Sequence, residues 1–273
     1  MSHVAASDVE YLVFTANQHR YGVAHHHVVS IIDVPEHTEM PGMPPEVRGV
    51  IVHQGKSIPL FDLRVCFGER PRLLEIQDLV QTLMQRKQDH INWLAQLKSE
   101  VLSAKPITVQ TNPDLCAFGQ WYNRFTTDNL NLRAHMQFFD APHRQIHHIA
   151  EETAALLLTG ETEEAKNLIH ITEKGALIRL LELFDGLATQ IHTYLLEYAI
   201  IIGVNDIRFA VATDKINFFG SLHPIEQLVP DEVQNRYDFI HSVGHNKNDE
   251  KNTGKPILLL DMERFVGKHP FLT

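Results

Sequence analysis

Thr111-Asn112-Pro113-Asp114-Leu115-Cys116-Ala117-Phe118-Gly119-Gln120-Trp121-Tyr122, followed by His143 and His147, is the stretch around which the chain organises itself. His143 and His147 are four residues apart, so on a helix they project from one face. Asn112-Pro113 is an N-cap followed by proline at the first helical position, which predicts a helix carrying Leu115, Phe118, Tyr122 and Phe125 on one side. That places Cys116 in the first turns, where the helix dipole favours a thiolate. Gly119, one turn later, is expected to let another helix approach closely. Upstream, His90 shares a stripe with Trp93, Leu94, Leu97 and Val101 at helical spacing. Three imidazoles and one thiolate are the donor set of a tetrahedral zinc site.

Working outward, the helical period starts near Leu73. A third helix is predicted from Asp140-Ala141-Pro142 to about Leu158, stopped by Gly160. A fourth is predicted from roughly Thr162 to Tyr194, with Leu177, Leu180, Phe184, Leu187 and Ile191 along its seam. Four helices with short links predict an antiparallel four-helix bundle. On either side the period drops to two. Tyr11–Phe14 and Tyr21–Val23 flank the turn Asn17-Gln18-His19, and Val50–Val52 and Ile58–Phe61 flank Gln54-Gly55-Lys56. Val28–Val34 reads as a strand or a short helix, and Pro59 suggests an edge or a strand end. Ala199–Ile202, Ile207–Val211 and Ile257–Leu260 are strand-like, with a polar tract from Gly244 to Gly254 expected to be a mobile loop. The order β, α, β predicts a helical domain, residues 73–198, inserted into a β domain made of 1–72 and 199–273. The fold class is α+β multidomain.

The 273 residues carry a formal charge of −10 and no Lys/Arg run, which argues against a nucleic-acid partner. No apolar run reaches the ~18 residues of a membrane span, and Met-Ser-His-Val-Ala-Ala lacks the features of a signal peptide. A cytoplasmic protein is expected. The two cysteines, Cys66 and Cys116, are then expected to stay reduced. Most of the 18 histidines are expected to be incidental. His25, His26 and His27 read as solvated surface, and His148 points about 100° away from His147 on an ideal helix. His135, His170 and His192 read as ordinary surface or seam positions.

The outer segments resemble the CheW family, the coupling proteins of bacterial chemotaxis. The resemblance is carried by Tyr11-Leu12-Val13-Phe14, Tyr21-Gly22-Val23, Val47-Arg48-Gly49-Val50-Ile51, Ile58-Pro59-Leu60-Phe61-Asp62-Leu63-Arg64 and Pro256-Ile257-Leu258-Leu259-Leu260-Asp261. It implies two small five-stranded, SH3-like β-barrels side by side, and docking to chemoreceptor tips and a CheA-type histidine kinase. It also places Gly49 beside the receptor-facing groove, and Gln54 where the family has arginine. Arginine and glutamine differ by a charge and a fork of donors, so Gln54 reads either as an altered receptor-binding position or simply as a turn residue.

The insert resembles the chemoreceptor zinc-binding (CZB) domain through His90-x-x-Trp93, Cys116-x-Phe118-Gly119-x-Trp121 and His143-x-x-x-His147. This implies Zn2+ held by His90, Cys116, His143 and His147, sensing of zinc or of oxidants such as hypochlorous acid, and a homodimer through the insert. The sequence therefore predicts a signalling adaptor without enzyme activity. Two alternatives stand beside it: a metalloenzyme using a zinc-bound water with Asp114 or Asp140 as base, and a scaffold in which zinc is purely structural. A four-ligand site is closed, which weighs against the first of these.

Overall fold

The computed structural model describes residues 9–225, 237–246 and 256–272. The chain divides into two compact units, Met1–Arg72 with Leu196–Thr273, and Leu73–Leu195.

Among the described residues, the first unit contains ten strands in two five-stranded sheets. Strands β1 (Glu10–Ala16), β2 (His19–Ala24), β8 (Lys215–Ile225), β9 (Ile240–Asn246) and β10 (Ile257–Leu260) close into a barrel of order β1-β2-β10-β9-β8. Strands β3 (Val28–Asp33), β4 (Val47–His53), β5 (Lys56–Asp62), β6 (Tyr198–Val204) and β7 (Ile207–Thr213) form a sheet of order β3-β6-β7-β5-β4. One sheet is thus a closed barrel, whereas the other keeps β3 and β4 as its ends. Strands from before and after the helical unit pair with one another in both sheets, since β8 and β10 pair with β1 and β2, and β6 and β7 pair with β3 and β5. The alternating apolar positions explain the faces: Leu12, Phe14, Tyr21, Phe61, Phe209 and Phe265 meet in one core.

Val28–Asp33 resolves as strand. Pro59 lies in an interior strand, not at a sheet edge. The ladder between β5 and β7 runs only over Leu60–Asp62, so Pro59 is never asked for the hydrogen bond it cannot donate. Gln54 and Gly55, both at positive φ (50° and 76°), make the tight β4–β5 turn. Strands β8 and β9 were not expected from the sequence. Gly244–Asn246 of the expected polar loop belong to β9, and 247–254 lie outside the described residues.

Buried charges in this unit are paired. Arg48 reaches Asp62 at 2.6 Å and Glu197 at 2.8 Å, and its guanidinium is only 12% exposed. Despite desolvation, these carboxylates hold its pKa above the ordinary arginine value. Arg64, 3% exposed, donates to Asp214 at 2.5 Å. Short helices α1 (Leu63–Cys66) and α8 (Met262–Lys268) start at Asp62 and Asp261, whose carboxylates cap them.

The second unit holds α2 (Arg72–Leu102), α3 (Ala117–Tyr122), α4 (Leu130–Gln137), α5 (Asp140–Leu158), α6 (Thr162–Lys174) and α7 (Ala176–Tyr194). The stripe on α2 faces the core, with His90, Leu94, Leu97 and Val101 buried. The single helix expected from Thr162 to Tyr194 is two, broken at Gly175, where φ −119° and ψ −89° leave the helical region. The helix expected after Asn112 is a 3-10 turn, Pro113–Leu115, followed by the six-residue α3, with α4 an additional short helix. The unit is therefore a six-helix arrangement among the described residues, in which α2, α5, α6 and α7 are the long members. None of these helices is long and apolar enough to cross a membrane.

Candidate metal centre

Four donors from three separate elements meet inside the helical unit. One ligand atom from each of His90, Cys116, His143 and His147 lies within 4.8 Å of the others. His90 sits in mid-α2, and His143 and His147 occupy successive turns at the start of α5. All three histidines are at least 95% buried. Cys116 is the N-cap of α3, and its Sγ accepts from the N–H of Gly119 at 3.2 Å. It stands one position before the helix, not within it.

The tautomers follow from the partners. Nδ1 of His90 lies 2.7 Å from the carbonyl of Arg86, one turn back on its own helix. Nδ1 of His147 lies 2.8 Å from the carbonyl of Gln110. A carbonyl only accepts, so both Nδ1 atoms carry the proton and both Nε2 atoms present a lone pair. Those two Nε2 atoms are buried and have no hydrogen-bond partner. Nε2 of His143 is 3.1 Å from Cys116 Sγ. Leaving buried acceptors unmatched costs about 1–3 kcal/mol each, so their convergence on a thiol sulfur calls for a ligand.

Burial keeps the three imidazoles from taking up a proton. Burial pushes His90 down to about 4, against the pull of the Arg86 carbonyl, with His147 lowering it further. Burial likewise lowers His143 to about 3, helped by His90 and His147. His147 is lowered by burial, opposed by its bond to Gln110. The imidazoles are neutral near pH 7, the form that coordinates metal. Burial raises the Cys116 thiol, while the N–H groups of Gly119 and Phe118 favour its thiolate.

Aromatic rings wall the cluster. Phe118 stands edge-on to His143 at 4.8 Å, Trp93 lies 4.9 Å from His147, and Phe184 lies 5.9 Å from His90. Gly119 is required by the chain itself. A Cβ there would stand 1.9 Å from the carbonyl oxygen of Pro113, so its close neighbour is the preceding 3-10 turn and not a second helix. This donor set, a soft thiolate plus three imidazoles of which His90 and His147 have their outer nitrogens anchored on carbonyls, fits a four-coordinate zinc ion.

The sequence missed Gln110. Its carbonyl accepts from both His147 and the indole N–H of Trp93, each at 2.8 Å. A backbone acceptor leaves no trace in residue type, and the one available signal was that a partly buried Trp93 needs a partner. His148 is exposed and lies 3.5 Å and 3.3 Å from Glu151 and Glu152. Asp114 and Asp140 both face Arg144, at 3.3 Å and 2.9 Å. His25 and His26 are exposed on a 3-10 turn. In the β unit, Gly49 is buried, and a Cβ there would meet the Thr38 carbonyl oxygen at 2.5 Å. Gln54 is exposed, with Arg208 3.4 Å from its side-chain oxygen.

Residues 10–88 match the CheW-like domain and residues 90–154 match the chemoreceptor zinc-binding domain. No curated protein matches the chain. Among solved structures, the scaffolding protein TtCheW from Thermoanaerobacter tengcongensis aligns with 93% of this chain and 89% of its own. The identity is 10% and the TM-score 0.40, too loose a likeness to carry weight. The chain is thus similar to a CheW-like segment followed by a zinc-binding one, both families of scaffold or sensor domains.

Proposed function

We propose that this protein is a cytoplasmic chemotaxis adaptor that couples chemoreceptors to a CheA-type histidine kinase, and that its helical unit senses zinc or oxidant through a Zn2+ ion held by His90, Cys116, His143 and His147. The observation that carries the reading is the pair of buried, unpartnered Nε2 atoms on His90 and His147, converging with Cys116 and His143. Zinc, when bound, supplies a closed four-ligand crosslink and favours the Cys116 thiolate.

The chain's own groups then do the sensing. His90 and His147 are held to fixed carbonyls, whereas the Cys116 sulfur has only backbone N–H groups and the His143 ring beside it, at the start of a six-residue helix. It is the donor most easily displaced. Hypochlorous acid oxidises a thiolate by two electrons, forming an S–O bond and releasing chloride, and the resulting sulfenic acid is a poorer donor. The start of α3 then loses its tie to α2 and α5. The chain enters this unit at the start of α2 and leaves it after α7, so a change in helix packing has a covalent route into the β unit.

Resemblance to CheW supports docking by the β unit, with residues 196–273 as the second part of the same domain. We place the receptor-facing region near the β4–β5 turn, where Gln54 is exposed; Gly49 serves it by letting the Thr38 backbone lie against β4. The proposal includes a homodimer through the helical unit and no catalytic activity.

The test is a kinase assay reconstituted with receptor and CheA-type kinase, comparing zinc-loaded protein, chelator-stripped protein and Cys116→Ser. The zinc-loaded wild type should support kinase control and lose it on hypochlorous acid treatment, and Cys116→Ser should not respond to the oxidant. Equal activity of loaded and stripped protein would leave zinc a purely structural role.

A further inference from the structure

One carboxylate outside the donor set controls the segment that carries the Gln110 carbonyl. Helix α2 ends in a reversal: the N–H of Ala104 bonds the Val101 carbonyl at 3.2 Å and the N–H of Lys105 bonds the Glu100 carbonyl at 2.9 Å. This is the Schellman pattern, with Ala104 at φ 50° in the position usually given to glycine. The chain then doubles back along α2. The Glu100 side chain, 8% exposed, catches it: Thr108 donates its N–H at 3.0 Å and its hydroxyl at 2.5 Å, one to each carboxylate oxygen. Gln96 donates to Glu100 at 2.8 Å and to the Thr108 hydroxyl at 3.1 Å. Next, Val109 enters the helical core, and the Gln110 carbonyl meets Nδ1 of His147 and Nε1 of Trp93.

We propose that Glu100 is a positioning residue for the metal centre, whose carboxylate clamps Thr108 and so sets the Gln110 carbonyl that orients His147 toward the ion. The inference rests on reading the four donors as ligands. It distinguishes two imidazoles that look alike. His90 takes its carbonyl from Arg86 on the same helix, so the helix alone fixes it. His147 takes its carbonyl from a loop of another segment, and that loop is held by Glu100. In Glu100→Gln one carboxylate oxygen becomes an amide donor, so Thr108 loses one of its two acceptors while the side chain keeps its shape.

The experiment uses the full chain. Zinc affinity is measured by competition with a chelator, and the imidazole N–H signals of His90 and His147 are followed by nitrogen-15 NMR. Glu100→Gln is expected to bind one zinc with about 10–100-fold lower affinity, the usual loss when the partner of a ligand is disturbed. The Nδ1–H signal of His147 should broaden or vanish through faster exchange, and that of His90 should persist. Thr108→Val, which keeps the N–H bond to Glu100 and removes the hydroxyl one, should change the same signal in the same direction and serves if Glu100→Gln folds poorly. Loss of both histidine signals together, or of neither, overturns the clamp and leaves Glu100 an ordinary loop anchor. If the wild type takes up no zinc, the metal reading fails separately, because the His147 signal reports the clamp with or without the ion.

Discussion

The two units treat buried polar groups in opposite ways. In the β unit, Arg48 is enclosed together with Asp62 and Glu197, and Arg64 with Asp214, so these charges meet opposite charges of the same chain. In the helical unit, His90 and His147 are buried with one nitrogen bonded and the other bare, aimed at Cys116 and His143. The first arrangement balances its charge within the chain. The second leaves two buried acceptors to be matched by something added.

The largest effect expected from this contrast is that of metal withdrawal. Zinc-finger peptides gain roughly 10–16 kcal/mol from their ion. Stripping zinc should therefore lower the unfolding temperature of the helical unit strongly and leave that of the β unit in place, as read by differential scanning calorimetry with and without chelator. A single transition that moves as one would break the contrast. Next comes Arg48→Met, which leaves two carboxylates buried without their cation. Removing one partner of a buried pair costs about 3–5 kcal/mol, so the β unit should weaken by that order while zinc stoichiometry stays unchanged. A denaturant titration with parallel metal analysis checks both halves.

Much of this was legible because the period was clean. The α2 stripe, the Pro142 helix start with His143 and His147, and the hairpins around Asn17 and Gln54 all read directly from spacing. Other features lay where sequence signals compete. Gly175 is tolerable inside a helix or at its end, and the surrounding apolar seam hid the break between α6 and α7. Cys116 read as helical because Asn112-Pro113 looks like a helix start, yet that start serves only a 3-10 turn and the cysteine caps the next helix. The partner of His147 left no trace in residue type beyond the need of Trp93 for a partner, because it is a backbone carbonyl brought in by a loop. The donors were visible by type, and what holds them was visible only in three dimensions.

Smaller effects sharpen the comparison within the helical unit. Gly119→Ala drives a Cβ into the Pro113 carbonyl. Overpacking of this kind costs typically 1–3 kcal/mol, and here the strain falls on the Cys116 cap, so both stability and zinc affinity should drop. Unchanged affinity in a competition titration would mean that the cap relaxes without moving the thiolate. Ala104→Gly removes the left-handed penalty at the end of α2, about 1–2 kcal/mol per residue in that region. Thermal unfolding should show the helical unit stabilised by up to that amount, with zinc stoichiometry unaffected.

X-ray absorption at the zinc edge on the purified, full-length protein is the most direct measurement. One ion per chain bound by three nitrogens at about 2.0–2.1 Å and one sulfur at about 2.3 Å is the expected result. A protein that carries no stoichiometric metal, or an ion whose shell lacks sulfur or includes a water oxygen in place of an imidazole, would contradict the account.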